Sequence, residues 1–342
     1  MPLTRRQTLG LLAGATAALA QPRTPIIRTV LKDYPPADLA GGATLFHEHL
    51  SLAPDFMPRW IAYARGGAAP PPAPAAAEPY FMQDAAFMTA ELQQARQEGI
   101  ACIVDGGHPD MGRDIDFLRR ISTESGMPIV AAGGLYSEPF YPKEVSAWSE
   151  SQISDALLHQ AASTRIGAFG EIGSWDYITA TERKVFRAVG RAHVATNLPI
   201  FTHTGIPGKS ALEQLDLLED AGVDPRRVAV GHLGNLVDPK IEIHKAICRR
   251  GAFIGFDRQG GPGDAPQVPM VMALLEAGFA ANLLFSADLS SRAQTHQGGG
   301  PGYAKTLTVF VPKLKAAGAD EAVLQKIMSD NPRRFLAFVP RA

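Results

Sequence analysis

Cysteine is almost missing from this chain: two residues, Cys102 and Cys248, in 342. Each lies in an apolar stretch, so no disulfide framework is available and both read as small buried hydrophobes. Charge of one sign is missing as well. Lys and Arg total 33 against 34 Asp and Glu, a formal net charge of −1. No stretch is basic enough to leave a nucleic-acid footprint, so the expected partner is a small molecule. Long hydrophobic runs are also scarce. The apolar run Leu9 to Leu19 falls short of the ~20 residues that span a bilayer. It follows Thr4-Arg5-Arg6-Gln7 and ends in Ala18-Leu19-Ala20, the layout of an export signal of the twin-arginine type over residues 1–20. An ordinary secretory signal or a retained anchor is the alternative. On the first reading the mature domain, residues 21–342, passes the export machinery for folded proteins. It then works in the periplasm or outside the cell, free of the membrane.

What the sequence does have is alternation. Short apolar runs alternate with longer amphipathic segments, the pattern of βα units on a parallel sheet. Eight strands are expected: 43–49, 100–106, 128–134, 166–171, 199–203, 228–232, 252–257 and 283–288. Helices are expected at 84–98, 181–196 (capped by Thr181), 210–221 and 269–277, each stopping at a glycine or turn before the next strand. Eight strands with helical crossovers predict an α/β fold, a single-domain (β/α)8 TIM barrel, with an open doubly wound sheet second. Residues 66–79, GGAAPPPAPAAAEP, cannot form core and make an insertion after the first strand, either lid or disordered loop.

The chemistry lies at the strand ends. The first strand closes on His47-Glu48-His49. Alternation puts both imidazoles on one face and Glu48 on the other, so the pair can grip one ion. Glu171, His203, His232 and Asp288 close four further strands. Four of the nine histidines and two carboxylates therefore occupy the C-terminal ends of strands, where barrel enzymes build their sites. A lone strand-end histidine is more often structural; six such placements together point to metal. His159, His193 and His244 fall in helical patterns and read as surface residues. His108 faces the active end without an evident partner.

At these residues the chain resembles the phosphotriesterase-like branch of the amidohydrolase superfamily. The matching stretches are LFHEHL at 45–50, PIFTHTG at 199–205, VAVGHLG at 228–234, FSADLSSR at 285–292 and DNPRRF at 330–335. The resemblance implies two divalent metal ions, most simply Zn2+, with Mn2+, Co2+ or Fe2+ as alternatives. His47, His49 and Asp288 would hold the inner ion, His203 and His232 the outer one. Many members bridge the ions with a carboxylated lysine on the fourth strand. Here GAFGEIGSWD contains none, and Glu171 stands at its place, as in the phosphotriesterase-homology subgroup. Asp288 would serve as catalytic base as well as ligand. Tyr136 and Arg258 match pocket positions of the family's lactonases; the bland alternatives are a packed aromatic and a solvated charge. The expected reaction is hydrolysis of a carboxyl ester, a lactone first. Phosphotriester hydrolysis, amide hydrolysis and a non-catalytic metal-stabilised binding protein are the alternatives. Family habit suggests a homodimer.

Overall fold

The computed structural model describes residues 24–67, 79–205, 208–236 and 238–341. The expected export signal, and all of the Ala/Pro-rich insertion except its ends, lie outside these residues. Eight parallel strands form one sheet in chain order: β1 (Ala43–Glu48), β2 (Ile100–Asp105), β3 (Ile129–Gly133), β4 (Ala168–Ser174), β5 (Ile200–Thr204), β6 (Val228–Val230), β7 (Phe253–Phe256) and β8 (Leu283–Phe285). Eight principal helices follow them: α1 (Phe56–Ala64), α2 (Ala85–Gln97), α3 (Ile115–Ser125), α4 (Glu150–Thr164), α5 (Ala180–Thr196), α6 (Ala211–Asp220), α7 (Glu242–Arg249) and α8 (Asp264–Glu276). This is the expected TIM barrel.

The barrel is filled by alternate strand residues, as the period of two requires. Phe46, Val104, Val130, Ala168, Phe201, Ala229, Phe253 and Leu284 pack into one buried cluster, while residues such as Ile103, Ile129 and Ile254 join the larger layer against the helices. Below the site the barrel needs room for the Phe201 ring. Gly170 provides it: its φ is 154°, and a Cβ there would lie 2.3 Å from the Phe201 ring.

No backbone ladder joins β8 to β1 among the described residues; side chains close that seam. Ser286 Oγ lies 2.6 Å from the His47 carbonyl oxygen and 2.7 Å from the Glu48 carboxylate, its one hydrogen shared between them. Glu48 also accepts from the backbone N–H of Ala287 (2.7 Å) and Leu289 (2.9 Å). Asp288 N adds a long contact to His47 O, 3.4 Å.

The structure corrects the sequence reading at several boundaries. β4 runs three residues past Glu171, to Ser174. β6 and β8 stop at Val230 and Phe285, before their ligands. Their ligands His232 (φ 61°) and Asp288 (φ 48°) adopt left-handed backbone, which cannot continue a strand. The helix expected from Thr181 is capped instead by Thr179, whose hydroxyl accepts from Glu182 N while Glu182 returns a carboxylate to Thr179 N. The helix expected at 269–277 begins at Asp264, with Pro269 inside it. Helix α1 forms where the sequence reading places no element. His193 and His244 are not surface residues: each is buried, with a ring nitrogen on a backbone carbonyl, of Leu198 (2.6 Å) and Leu233 (2.8 Å) respectively. His159 is exposed as expected, and both cysteines are free and buried.

Candidate metal centre

All six expected ligands meet at the C-terminal mouth of the barrel, each side chain buried or nearly so. Glu171 stands at the centre. One carboxylate oxygen faces His49 Nε2 at 3.3 Å. The other faces His203 Nδ1 at 2.7 Å, His232 Nε2 at 3.3 Å and His47 Nε2 at 3.4 Å. Asp288 Oδ1 lies 3.2 Å from His49 Nε2 and 3.9 Å from His47 Nε2. Glu171 thus sits between two imidazole pairs, His47 with His49 and His203 with His232, as a bridging carboxylate must.

Backbone irregularities aim these side chains. The β1–β2 register shifts between Leu45 and Glu48, and the β4–β5 register shifts between Phe169 and Ile172. Each shift flanks a ligand, a common use of local strand irregularity near sites. The left-handed His232 and Asp288 do the same at the ends of β6 and β8. Non-glycine residues hold that conformation only where surrounding contacts compensate the strain.

One residue whose role the sequence left unassigned organises the centre. Asp257, just past β7, accepts from His47 Nδ1 (3.1 Å), His232 Nδ1 (2.8 Å) and His232 backbone N (3.0 Å). Both rings are thereby held with Nδ1 protonated and Nε2 turned toward Glu171. Although the Asp257 oxygens lie close enough to be grouped with His47 and His232, they occupy the far side of both rings. From there they fix the orientation of His47 and His232.

The carboxylates of the cluster keep their negative charge despite burial. Burial opposes ionisation of Glu171, yet the surrounding His47, His203 and His232 hold it well below the usual carboxylate range. Asp288 behaves likewise: burial is outweighed by His49, His47, His232 and Arg258. The charge is returned on His47 and His49, whereas burial pulls His203 down to about 4. Against the penalty of burial, Asp288 and Glu171 push His49 up to about 10. Protons take the positions of positive charge here. His47 Nε2 is buried without any hydrogen bond although two carboxylates face it. An orphaned imidazole nitrogen among carboxylates, with four nitrogen and two carboxylate donors in one pocket, fits a pair of divalent ions.

A cavity of about 360 Å³ opens above the ligands. Helix α1 supplies one wall with Phe56, Met57 and Trp60. Tyr136 lies beside it. Its hydroxyl accepts from Trp60 Nε1 (2.7 Å) and sits 3.1 and 3.2 Å from the two ring nitrogens of His203. Arg258 also lines the cavity, paired with Asp288 Oδ2 at 3.1 Å, its guanidinium 5.8 Å from the Trp60 ring centroid. Sequence reasoning missed Trp60 and α1. The signal was there in Phe56, Met57, Trp60 and Ile61, whose spacing marks one helical face. His108 stays outside the centre, buried with Nδ1 3.4 Å from Asp110.

Comparison with known proteins agrees with this geometry. The profile of the Phosphotriesterase family matches residues 26–336. The phosphotriesterase homology protein of Escherichia coli is 32% identical over 73% of this chain and 88% of its own length. Human N-acetyltaurine hydrolase is 29% identical over 91% of this chain and 98% of its own. Among solved structures, the Escherichia coli homology protein, complexed with phosphate in its active site, superposes with a TM-score of 0.75 at 28% identity, covering 87% of this chain and 99% of that one. A lactonase from Listeria monocytogenes superposes with a TM-score of 0.77 at 25% identity, covering 92% and 99%. The chain belongs to the phosphotriesterase family.

Proposed function

We propose that the protein is a hydrolase that loads two divalent ions, zinc first, and cleaves a carboxyl ester, most readily a lactone. The observation that carries this is Glu171 standing between two imidazole pairs beneath a cavity that Tyr136 lines. His47, His49, Glu171 and Asp288 would hold one ion, and His203, His232 and Glu171 the other. Bound there, such ions supply Lewis acidity toward a carbonyl oxygen and lower the pKa of water.

The chain's own groups do the rest. Asp288 is ionised at neutral pH, and Arg258 fixes its Oδ2, so Oδ1 is positioned to take a proton from the attacking water. Because the Tyr136 hydroxyl accepts from Trp60, its own proton can turn from His203 toward a substrate oxygen. Phe56, Met57 and Trp60 exclude water from the wall above.

Amide hydrolysis is the second reading, favoured by relatives named N-acetyltaurine hydrolase that match along 98% of their length. The test is elemental analysis of protein purified without added metal or bicarbonate, with a lactone, an aryl ester, an N-acetyl amide and a phosphotriester assayed on the same sample. About two ions per chain with fastest lactone turnover supports the leading reading, and fastest amide turnover the second. Absence of stoichiometric metal after loading overturns both.

A further inference from the structure

Tyr136 is held by its backbone as well as by its ring. Its carbonyl accepts from Gly173 N of β4 at 2.5 Å. A Cβ on Gly173 would lie 2.6 Å from that oxygen, so only a glycine lets the two segments meet there. The N–H of Tyr136 has no strand to pair with, because the β2–β3 ladder ends at Asp105 and Ala131. A side chain takes the place of the strand: Asp110 Oδ2 accepts from Tyr136 N at 2.8 Å.

Asp110 is itself anchored. It sits in the turn Pro109–Met111, between β2 and α3, with its carboxyl group buried. The oxygen that Tyr136 does not use, Oδ1, lies 3.4 Å from His108 Nδ1 and has no hydrogen-bond partner. On the other side of the turn, Met111 O accepts from Ala53 N at 2.9 Å. Ala53 O accepts in its turn from Phe56 N, the first residue of α1, at 3.0 Å. One short turn therefore fixes both partners of the Trp60–Tyr136 hydrogen bond, Tyr136 through Asp110 and α1 through Ala53. A buried carboxyl group with an idle oxygen costs stability. Such a group persists where it sets the place of a functional one.

We infer that Asp110 is a positioning residue for Tyr136. Through one backbone hydrogen bond it sets where the phenol hydroxyl stands over His203, and so its reach to a substrate oxygen. Without that bond residues 134–137 relax and the hydroxyl moves with them, and about 1 Å at a reacting group can cost about 100-fold in rate. The kinetic consequence rests on the hydrolase reading; the positioning does not.

The test reads position and rate separately. The chain has three tryptophans. Trp60 Nε1 donates to the Tyr136 hydroxyl at 2.7 Å, whereas Trp175 Nε1 has no partner. In a proton–nitrogen correlation spectrum of the zinc-loaded full chain, Trp60→Phe assigns the Trp60 indole signal. Tyr136→Phe then shows where that signal goes without its acceptor. In Asp110→Ala the signal should move most of the way to the same position. In Asp110→Asn, whose amide oxygen can still accept from Tyr136 N, it should stay. A signal unmoved in Asp110→Ala, or displaced in a folded Asp110→Asn, overturns the inference. If Asp110→Ala does not fold, Asp110→Leu keeps the side-chain volume without the acceptor and is read in the same way. On whichever lactone, ester or amide is turned over fastest, Asp110→Ala should lower kcat/KM by about 10- to 100-fold at unchanged metal content. The double variant Asp110→Ala/Tyr136→Phe should fall no further than Tyr136→Phe alone, since one group acts through the other. Losses that multiply would assign Asp110 to the fold at large and overturn the positioning role. If no substrate is turned over, the hydrolase reading is what fails, and the Trp60 signal still decides Asp110.

Discussion

Asp257→Asn should weaken ion binding about 10- to 100-fold without emptying the centre, the usual cost of disturbing a group that orients metal-bound histidines. Asp257 accepts three hydrogen bonds, two from imidazole Nδ1 and one from His232 N. Asparagine offers one oxygen and one NH2. That oxygen can serve His232, but the NH2 then meets the Nδ1–H of His47 donor to donor. His47 must either tilt away or shift its proton to Nε2, where it blocks the ion. The loss is about 1.4–2.7 kcal/mol of binding energy. Competition against a chelator of known affinity reads it directly, with elemental analysis of the saturated sample. Two ions per chain, held more weakly, is the expected result. One ion per chain would mean that Asp257 coordinates, and unchanged affinity in a folded barrel would refute the orienting role.

Four further outcomes are expected. Glu48→Ala leaves the N–H groups of Ala287 and Leu289 without their acceptor, while Ser286 Oγ keeps the His47 carbonyl. It should cost about 3 kcal/mol or more and show in a melting curve, with Glu48→Gln milder. Tyr136→Phe keeps the ring contacts but removes the hydroxyl. It should lower kcat/KM by about 10- to 100-fold at unchanged metal content by elemental analysis. Stripping the ions should lower Tm. Free metal at 100 times its Kd stabilises by about 2.7 kcal/mol, so Tm should climb with metal concentration in differential scanning calorimetry. Burial lowers the pKa of both His193 and His244. The unfolded chain therefore binds more protons, and stability, complete above roughly pH 6.5, should decline as pH falls through the depressed folded values. Urea titrations across pH should show this slope, flattened in His193→Gln.

The ligands were legible in the sequence because a strand displays its chemistry at a fixed period. His47, His49, Glu171 and His203 needed only local alternation to be placed on one face. The same alternation put His232 and Asp288 at strand ends. It could not show that both leave the strand in a left-handed turn, because that conformation is held by contacts distant in sequence. Asp257 stands just past β7 on the same rim, but its role depends on His47, 210 residues away. Helix α1 carried an amphipathic signal that the neighbouring Ala/Pro-rich stretch obscured. His193 and His244 were misread because helical periodicity reports a face and not what covers it.

The seam between β8 and β1 ties the centre to the order in which the barrel is completed. His47 and His49 come from the first strand, Asp288 from just beyond the last, and the bonds of Ser286 and Glu48 that bring them together span 238 and 239 residues. Contacts so far apart carry the greatest loop-closure cost and form late in folding. An emerging chain therefore cannot present the inner set of ligands until its final βα unit has arrived. Ion capture becomes a report that the ring is shut, and an ion once captured acts as a clasp on the one junction that lacks a ladder. In the metal-free protein this junction should open first, with hydrogen exchange at Ala287 and Leu289 outpacing that of the paired strands.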